Sequence, residues 1–188
     1  MGRRTDTRDR IIRASMRAMR EQGYGATAIS DIVNASGAPR GSVTFHFRGG
    51  KDEIAAEVVA LRTAQLLERI EATAAGAGSA ADFVAACVDA VAAEFAGSGF
   101  TAGCPVVPIC IERSTRAPEL RDAGADFFRA WRGSLARHLA ARGIDASRAD
   151  RVATLAVSAV EGALVISRAE QSVDALLAVR DELRLLLA

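Results

Sequence analysis

The stretch that decides the fold runs from Thr27 to Lys51 and has the sequence TAISDIVNASGAPRGSVTFHFRGGK. Thr27 is a favourable N-cap residue, and Ile29 and Ile32 follow it at the spacing of one helix face. Gly37 predicts the end of this helix, because glycine tolerates the left-handed backbone that a helix C-terminus often adopts. These residues therefore predict a short amphipathic helix between Thr27 and Gly37.

A second short helix is predicted from Arg40 to Phe47. Pro39 precedes it, and the fixed φ of proline suits the first position of a helix. Val43 and Phe47 lie four residues apart, so both are expected to be buried on the same side of the helix. Two short helices joined by a tight turn with glycine are typical of a helix-turn-helix, whose second helix enters the major groove of DNA.

The charged residues are distributed unevenly along the chain. Residues 1–50 contain nine Arg and four acidic residues, a net charge of +5, whereas residues 51–188 carry a net charge of −4. The net charge of the whole chain, +1, hides this difference. The asymmetry indicates that only the first part of the chain meets a polyanion.

Length and composition favour a helical protein with a sizeable core. The chain has 188 residues, half of them hydrophobic, and shows helical periodicity from end to end without the alternation of a strand. We predict an all-α fold of about nine helices. A cytoplasmic protein without a membrane partner is expected, because the N-terminal residues are polar and the longest apolar run, Val152–Val160, is too short to span a bilayer.

The helix-turn-helix also resembles the N-terminal signature of the TetR family of one-component transcriptional regulators. In that signature a helix ending in alanine and glycine precedes a short recognition helix, an aromatic-His-Phe motif and a lysine. The matching residues are Ala35–Gly37, Gly41–Val43, Phe45–Phe47 and Lys51. Two positions depart from the family pattern: Thr44, where Tyr is frequent, and Arg48, where one branch often has Pro.

That branch includes the repressors of lincomycin-type drug resistance, and the rest of the chain resembles it as well. The resembling segments are Gly49–Lys51, Gly103–Val107, Phe127–Trp131 and Glu161–Val165. The resemblance implies a homodimeric regulator, most often a repressor, that a small molecule releases from a palindromic operator. Residues 1–50 would form a three-helix DNA-binding domain and residues 51–188 a helical ligand-binding and dimerisation domain.

The candidate DNA contacts divide into base readers and phosphate ligands. Arg40 is the expected base reader, because a guanidinium pairs with guanine O6 and N7, and Phe45 can contact a thymine methyl. A packing role for His46 is the alternative to a phosphate contact. The full set of predicted DNA-binding residues is Thr27, Arg40, Gly41, Ser42, Thr44, Phe45, His46, Arg48 and Lys51.

A site for a small hydrophobic effector is predicted where aromatic and apolar residues of several helices converge, with a carboxylate as a polar anchor. A solid aromatic core is the alternative interpretation. The predicted ligand-binding residues are Phe83, Cys87, Phe95, Phe100, Val107, Phe127, Phe128, Trp131, Leu135 and Glu161.

The last two helices carry stripes of small and branched apolar residues that a two-fold partner would bury. Small side chains on the penultimate helix would let the helices of the two protomers approach closely. The predicted dimer-interface residues are Val152, Leu155, Ala156, Ala159, Val160, Ala163, Leu176 and Leu183.

Three other functions are weighed against a ligand-responsive regulator. An enzyme is poorly supported, because the two histidines, His46 and His138, stand in no nucleophile, phosphate-loop or zinc-protease motif. A DNA-binding protein without a ligand, and a regulator that senses thiol oxidation through Cys104 and Cys110, both stay open. No metal or cofactor is predicted, since the cysteines lack metal-ligand spacing.

Overall fold

The protein is described from a computed structural model covering residues 2–39 and 41–188, with the backbone alone for residues 2–5. Within these residues the chain forms nine α-helices and no strand, which confirms the predicted all-α fold. The helices are α1 (Gly2–Ala26), α2 (Ile29–Ser36), α3 (Ser42–His46), α4 (Gly50–Gly76), α5 (Ala80–Gly97), α6 (Val106–Arg113), α7 (Pro118–Ala140), α8 (Ala146–Glu170) and α9 (Asp174–Leu186).

The ends of α2 follow from local backbone chemistry, with one correction. Gly37 adopts the predicted left-handed conformation (φ 61°), and its N–H donates to the carbonyl of Asn34. The predicted N-cap, Thr27, is wrong, because Ala28 occupies that position. Thr27 is instead fully buried, and its hydroxyl donates to the carbonyl of Gly23 at 2.7 Å, where α1 kinks (φ 84°).

One compact unit comprises the chain up to Arg62 together with Cys104–Phe127. Within it, α1 packs against α2, α3 and α6. Val43 and Phe47 are buried, as predicted, at 3% and 1% exposure. These two side chains attach α3 to the apolar core of this unit. The other large side chains of that core are fully buried as well. Those side chains are Ile11, Met19, Ile32, Ile54, Ile109, Leu120 and Phe127.

The second compact unit comprises Thr63–Gly103 and Phe128–Ala188. In this unit α9 packs against both α5 and α8. α8 begins at an N-cap, Asp145, whose carboxylate accepts a hydrogen bond from the N–H of Arg148 at 3.0 Å. By length and composition α8 would pass as a membrane span, a test that the core helix of a soluble protein also passes. One side of α8 is buried within the unit, in a row that runs from Ala149 to Ser167.

Two helices continue from one unit into the other without a break. α4 begins in the first unit and ends in the second, and α7 does the same. The predicted domain boundary at residue 50 coincides with the first residue of α4. The assignment of DNA binding to residues 1–50 and of ligand binding to residues 51–188 stays a prediction.

Candidate nucleic-acid interface and ligand cavity

The exposed side of α3 is the surface that the helix-turn-helix offers to DNA. Because Val43 and Phe47 face the core, the residues between them point outward. Thr44 is exposed, and Phe45 has 58% of its surface open to solvent. Arg40, the predicted base reader, lies outside the described residues.

His46 is half-buried and lies between two aromatic rings. Its ring centroid is 5.0 Å from that of Phe45 and 6.4 Å from that of Phe47, both with edge-to-face geometry. The imidazole therefore supports the outward position of Phe45. Both predicted roles of His46, packing and phosphate contact, are compatible with this partial exposure.

Arg8 secures α3 from the side of α1. Its guanidinium lies 5.3 Å from the centroid of the Phe47 ring and donates a hydrogen bond to the carboxylate of Glu57 on α4. One cation thus contacts the last buried residue of the recognition segment and the following helix. Arg8 therefore links the C-terminal end of α3 to both α1 and α4.

The start of α4 is held by a group that we call the Tyr24 cluster: Tyr24, Lys51, Asp52 and Arg113. The carboxylate of Asp52 accepts hydrogen bonds from the hydroxyl of Tyr24 and from the guanidinium of Arg113 on α6. The Lys51 ammonium lies 4.2 Å from the centroid of the Tyr24 ring and donates to the carbonyl of Gly25 at 3.2 Å. The cluster therefore joins the end of α1, the start of α4 and the end of α6.

The pKa values of the cluster reflect these contacts. Burial and the hydrogen bond to Asp52 raise the pKa of Tyr24 from 10.0 to about 12. Burial acts to raise the pKa of Asp52, but the hydrogen bonds from Tyr24 and Arg113 outweigh it and lower that pKa. Burial also lowers the pKa of Lys51. At neutral pH the cluster consists of a neutral phenol and a carboxylate between two cations.

The predicted DNA contacts therefore differ in accessibility. Gly41, Thr44, Phe45 and Arg48 are exposed. The side chains of Ser42, His46 and Lys51 are half-buried. Thr27 is the exception, since its fully buried side chain lies away from any surface that a phosphate could reach.

The second unit contains a cavity between α4, α5, α7 and α8. It has a volume of about 30 Å³, enough for one or two water molecules, and it is partly open to solvent. The lining residues are Leu66, Arg69, Ile70, Thr73, Val84, Cys87, Val88, Ala90, Val91, Trp131, Leu135, Ala156 and Val160.

Only part of the predicted ligand set lies at this cavity. Cys87, Trp131 and Leu135 line it, whereas Val107 and Phe127 belong to the first unit. The other residues of the predicted set belong to the second unit but not to the lining: Phe83, Phe95, Phe100, Phe128 and Glu161. Two of them pack with each other, since the ring centroids of Phe95 and Phe100 are 5.8 Å apart.

Sequence reasoning missed the contribution of α4 to the cavity. Leu66 and Ile70 had the spacing of a buried helix face, but that signal does not show which helices the face packs against. Arg69 and Thr73 carried no such signal, because a polar residue next to an apolar stripe usually faces solvent.

The predicted dimer-interface residues are for the most part buried within a single chain. Leu155 is 51% exposed and Ala159 is half-buried. The remaining six are Val152, Ala156, Val160, Ala163, Leu176 and Leu183, all buried by their own chain. Ala156 and Val160 line the cavity. Burial by their own chain leaves these six little surface for a partner, and the dimer interface stays a prediction.

Two short helices, α2 and α3, that lie on either side of a left-handed turn at Gly37 and leave the outer side of α3 open to solvent are typical of the helix-turn-helix class of DNA-binding proteins. Comparison with known proteins makes this more specific. Residues 11–58 match the family described as bacterial regulatory proteins, tetR family. Residues 80–182 match the C-terminal domain of LmrA/YxaF-like transcriptional regulators. The chain belongs to the TetR family of transcriptional regulators.

Relatives cover nearly the full chain. The uncharacterized HTH-type transcriptional regulator Rv0196 of Mycobacterium tuberculosis is 33% identical over 186 residues, which cover 96% of this chain and 93% of that protein. The HTH-type transcriptional regulator LmrA of Bacillus subtilis is 28% identical, with 86% of each chain covered. A solved TetR transcriptional regulator from Legionella pneumophila has the same fold (TM-score 0.85, 19% identity, 95% of this chain and 96% of that one).

These comparisons establish the class of activity. The protein is a DNA-binding transcriptional regulator, and its family is one of regulators, not of enzymes. Proteins of this family bind DNA operators and act as homodimers.

Proposed function

We propose that the protein is a repressor that binds a palindromic operator as a homodimer and is released when a small hydrophobic ligand enters the cavity of the second unit. The observation that carries the DNA-binding part of this proposal is the exposure of Phe45, two residues away from each of the buried residues Val43 and Phe47. Phe45 lies on the outer side of the second helix of the helix-turn-helix, where an apolar ring can contact the methyl group of a thymine in the major groove.

The proposed DNA surface consists of the exposed side of α3 and its flanks. Phe45 would contact a base, and Thr44, Arg48 and Lys51 would contact phosphates. Arg40 keeps its proposed role as base reader, whereas Thr27 is left out because it is buried. The charge of +5 on residues 1–50 would supply the electrostatic attraction that brings the duplex to this surface.

The proposed dimer surface lies on the sides of α8 and α9 that their own chain leaves open. We name it the α8–α9 stripe; it consists of Leu155, Ala159, Gly162, Ile166, Ala175, Val179 and Leu186. On each helix these residues follow one another at helical spacing, so they form one face. Leu155, Ile166 and Leu186 are 51%, 49% and 41% exposed, which gives a partner apolar area to bury.

A glycine on the stripe offers a clean test of the dimer. A Cβ at Gly162 would meet no heavy atom within 4 Å among the described residues, so Gly162→Arg leaves the packing of one chain intact. On the proposed surface it would place two charges in an apolar contact, and we expect a light-scattering mass of one chain and loss of operator binding. Gly133→Arg is the matched control, since Gly133 lies in a helix, has equally open surroundings and is outside the stripe. A Gly162→Arg protein that stays dimeric would rule out this surface.

The size of the cavity determines how a ligand would release the protein from its operator. A cavity of about 30 Å³ cannot hold a drug-sized molecule, so such a ligand must move the walls apart. One wall is α4, which continues into the first unit and carries Lys51 and Asp52 of the Tyr24 cluster at its start. A ligand that binds the widened form better than the compact form would therefore shift the protein away from its DNA-binding conformation.

The central experiment is selection of operator DNA by the purified protein, followed by binding measurements with and without candidate ligands. A palindromic site bound by a dimer, and released over the concentration range that raises the melting temperature, is the expected result. Sequence-specific binding that no ligand weakens would leave the ligand-independent alternative. The thiol-sensing alternative predicts that mild oxidation releases the operator and that Cys104→Ala or Cys110→Ala prevents this.

A further inference from the structure

We propose that the cavity of the second unit selects apolar molecules that carry a carboxylate, and that Arg69 is the residue that binds this group. The inference rests on the proposed ligand-controlled function and names the chemical class of its ligand. It starts from a buried donor in the cavity wall and from the charges around it.

Arg69 has one satisfied and one unsatisfied side of its guanidinium group. Its Nη1 donates to the carboxylate of Glu94, whereas its Nη2 is buried and has no hydrogen-bond partner within residues 2–39 and 41–188. Buried polar groups in folded proteins almost always have partners, because an unmet donor loses its bonds to water without replacement. An acceptor supplied from outside the chain would complete this site.

The remainder of the cavity wall does not compete for that donor. Apart from Arg69, Thr73 and Cys87, the lining is apolar, and it includes no Asp or Glu among the described residues. The hydroxyl of Thr73 donates to the carbonyl of Arg69 at 2.8 Å, which keeps it on its own helix. Arg69 is therefore the charged group that an entering ligand would meet among otherwise apolar walls.

A second cation adds to the positive potential. The guanidinium of Arg142 donates to the carbonyls of His138, Ala74 and Ala77 at 3.0, 2.6 and 3.1 Å and lies 4.7 Å from the centroid of the Phe83 ring. These partners are backbone carbonyls without a formal charge, although those of Ala74 and Ala77 lie at the partially negative C-terminal end of α4. The charge of Glu94 offsets that of Arg69, and Arg142 is a second guanidinium that acts on Cys87 in the cavity wall.

Cys87 does not supply an anion for these guanidinium groups. The positive charges of Arg142 and Arg69 act to lower its pKa, but burial outweighs them and raises it to about 12. The thiol is therefore neutral at physiological pH. A carboxylate fits better, because its two oxygens match the planar fork of a guanidinium and its bonds to a cation are stronger than neutral ones.

The test compares acids with their neutral amides in the full-length protein. Octanoic and cinnamic acids, and octanamide and cinnamamide, are titrated by calorimetry, so that each pair differs only in the anionic group. We expect at least one acid to bind about tenfold more tightly than its amide, as for a charge-assisted hydrogen bond in place of a neutral one.

Paired substitutions separate the role of Arg69 from a general loss of charge. Arg69→Met combined with Glu94→Gln removes both partners of the ion pair, so no carboxylate is left unpaired, and should abolish the preference for the acid. The control is Arg137→Met with Glu71→Gln, which removes another ion pair of the same unit, 3.3 Å long and outside the cavity lining, and should preserve the preference. Arg69→Lys, which retains the charge but not the fork, should preserve part of it.

Several outcomes would overturn the inference. Equal binding of acid and amide would show that an acceptor of any charge suffices, and binding of neither probe up to its solubility limit would exclude the class. An acid preference that survives Arg69→Met with Glu94→Gln would place the anion elsewhere. In each case operator release by another compound would leave the proposed function standing, whereas acids that bind through Arg69 without releasing the operator would refute the proposed function alone.

Discussion

Two phenylalanines on either side of His46 should respond to the same substitution in opposite ways. Phe47 is 1% exposed and belongs to the core, whereas Phe45 is 58% exposed. Removing a fully buried phenylalanine side chain costs about 3–5 kcal/mol of stability. We therefore expect Phe47→Ala to lower the free energy of unfolding by that amount. For Phe45→Ala we expect about 0.5 kcal/mol or a little more, since most of the ring already faces water.

For DNA binding we expect the direct effect to come from Phe45, the exposed residue of the pair. Burial of the exposed part of a phenylalanine ring contributes about 1–2 kcal/mol, so Phe45→Ala should weaken operator binding roughly 5- to 30-fold. Unfolding is followed in urea, and binding is followed by the anisotropy of a labelled operator at one fixed salt concentration. Ile111→Ala is the control, because Ile111 is a 77% exposed apolar residue of α6 and should affect neither quantity.

Two results would refute this reasoning. If Phe45→Ala destabilises the protein as much as Phe47→Ala does, the ring of Phe45 is part of the core. If Phe45→Ala binds the operator like the unmutated protein, the exposed ring has no role in recognition, and the proposed DNA surface loses its central residue.

Three further predictions concern other parts of the chain. A Cβ at Gly124 would overlap the Sγ atom of Cys110, so Gly124→Ala should cost about 1–3 kcal/mol of stability by urea unfolding, and Cys110→Ala in the same chain should restore most of it. The pKa of Tyr24 is raised from 10.0 to about 12, so between these pH values the phenol ionises in the unfolded state only. The free energy of unfolding should therefore fall as the pH rises from 10 to 12. Tyr24→Phe should remove this part of the pH dependence. Tyrosinate absorbance measures this pKa directly, because the chain has one tyrosine, and titration near 10.0 in the folded protein would contradict it. Ala156→Val should fill part of the cavity of about 30 Å³. The variant should still bind the operator, but a ligand should no longer release it from the DNA. If the substitution unfolds the protein instead, the cavity cannot accept two more methyl groups.

Local sequence signals were sufficient for the helices and for the recognition segment. Val43 and Phe47 were predicted to be core residues from their spacing alone, and Gly37 was predicted to end α2. These features depend on helical periodicity and on the backbone preferences of glycine and proline, which act over a few neighbouring residues. Thr27 shows where local signals fail. Threonine is a common N-cap residue, but here Ala28 has that position and the side chain of Thr27 is buried.

The partners of each helix face were decided only by the tertiary structure. Periodicity identified apolar residues on α8 but could not tell which of them would face the chain itself and which a second chain. Ala156 and Val160, predicted to be dimer contacts, line the cavity, while Gly162 and Ile166 on the neighbouring face stay open. The sequence around Arg69 likewise indicates only a polar residue of α4. The tertiary structure places apolar side chains of α5 and α8 in the same cavity wall as Arg69. A helical repeat defines directions around one helix axis, whereas the identity of the neighbour in each direction depends on contacts between residues far apart in the chain.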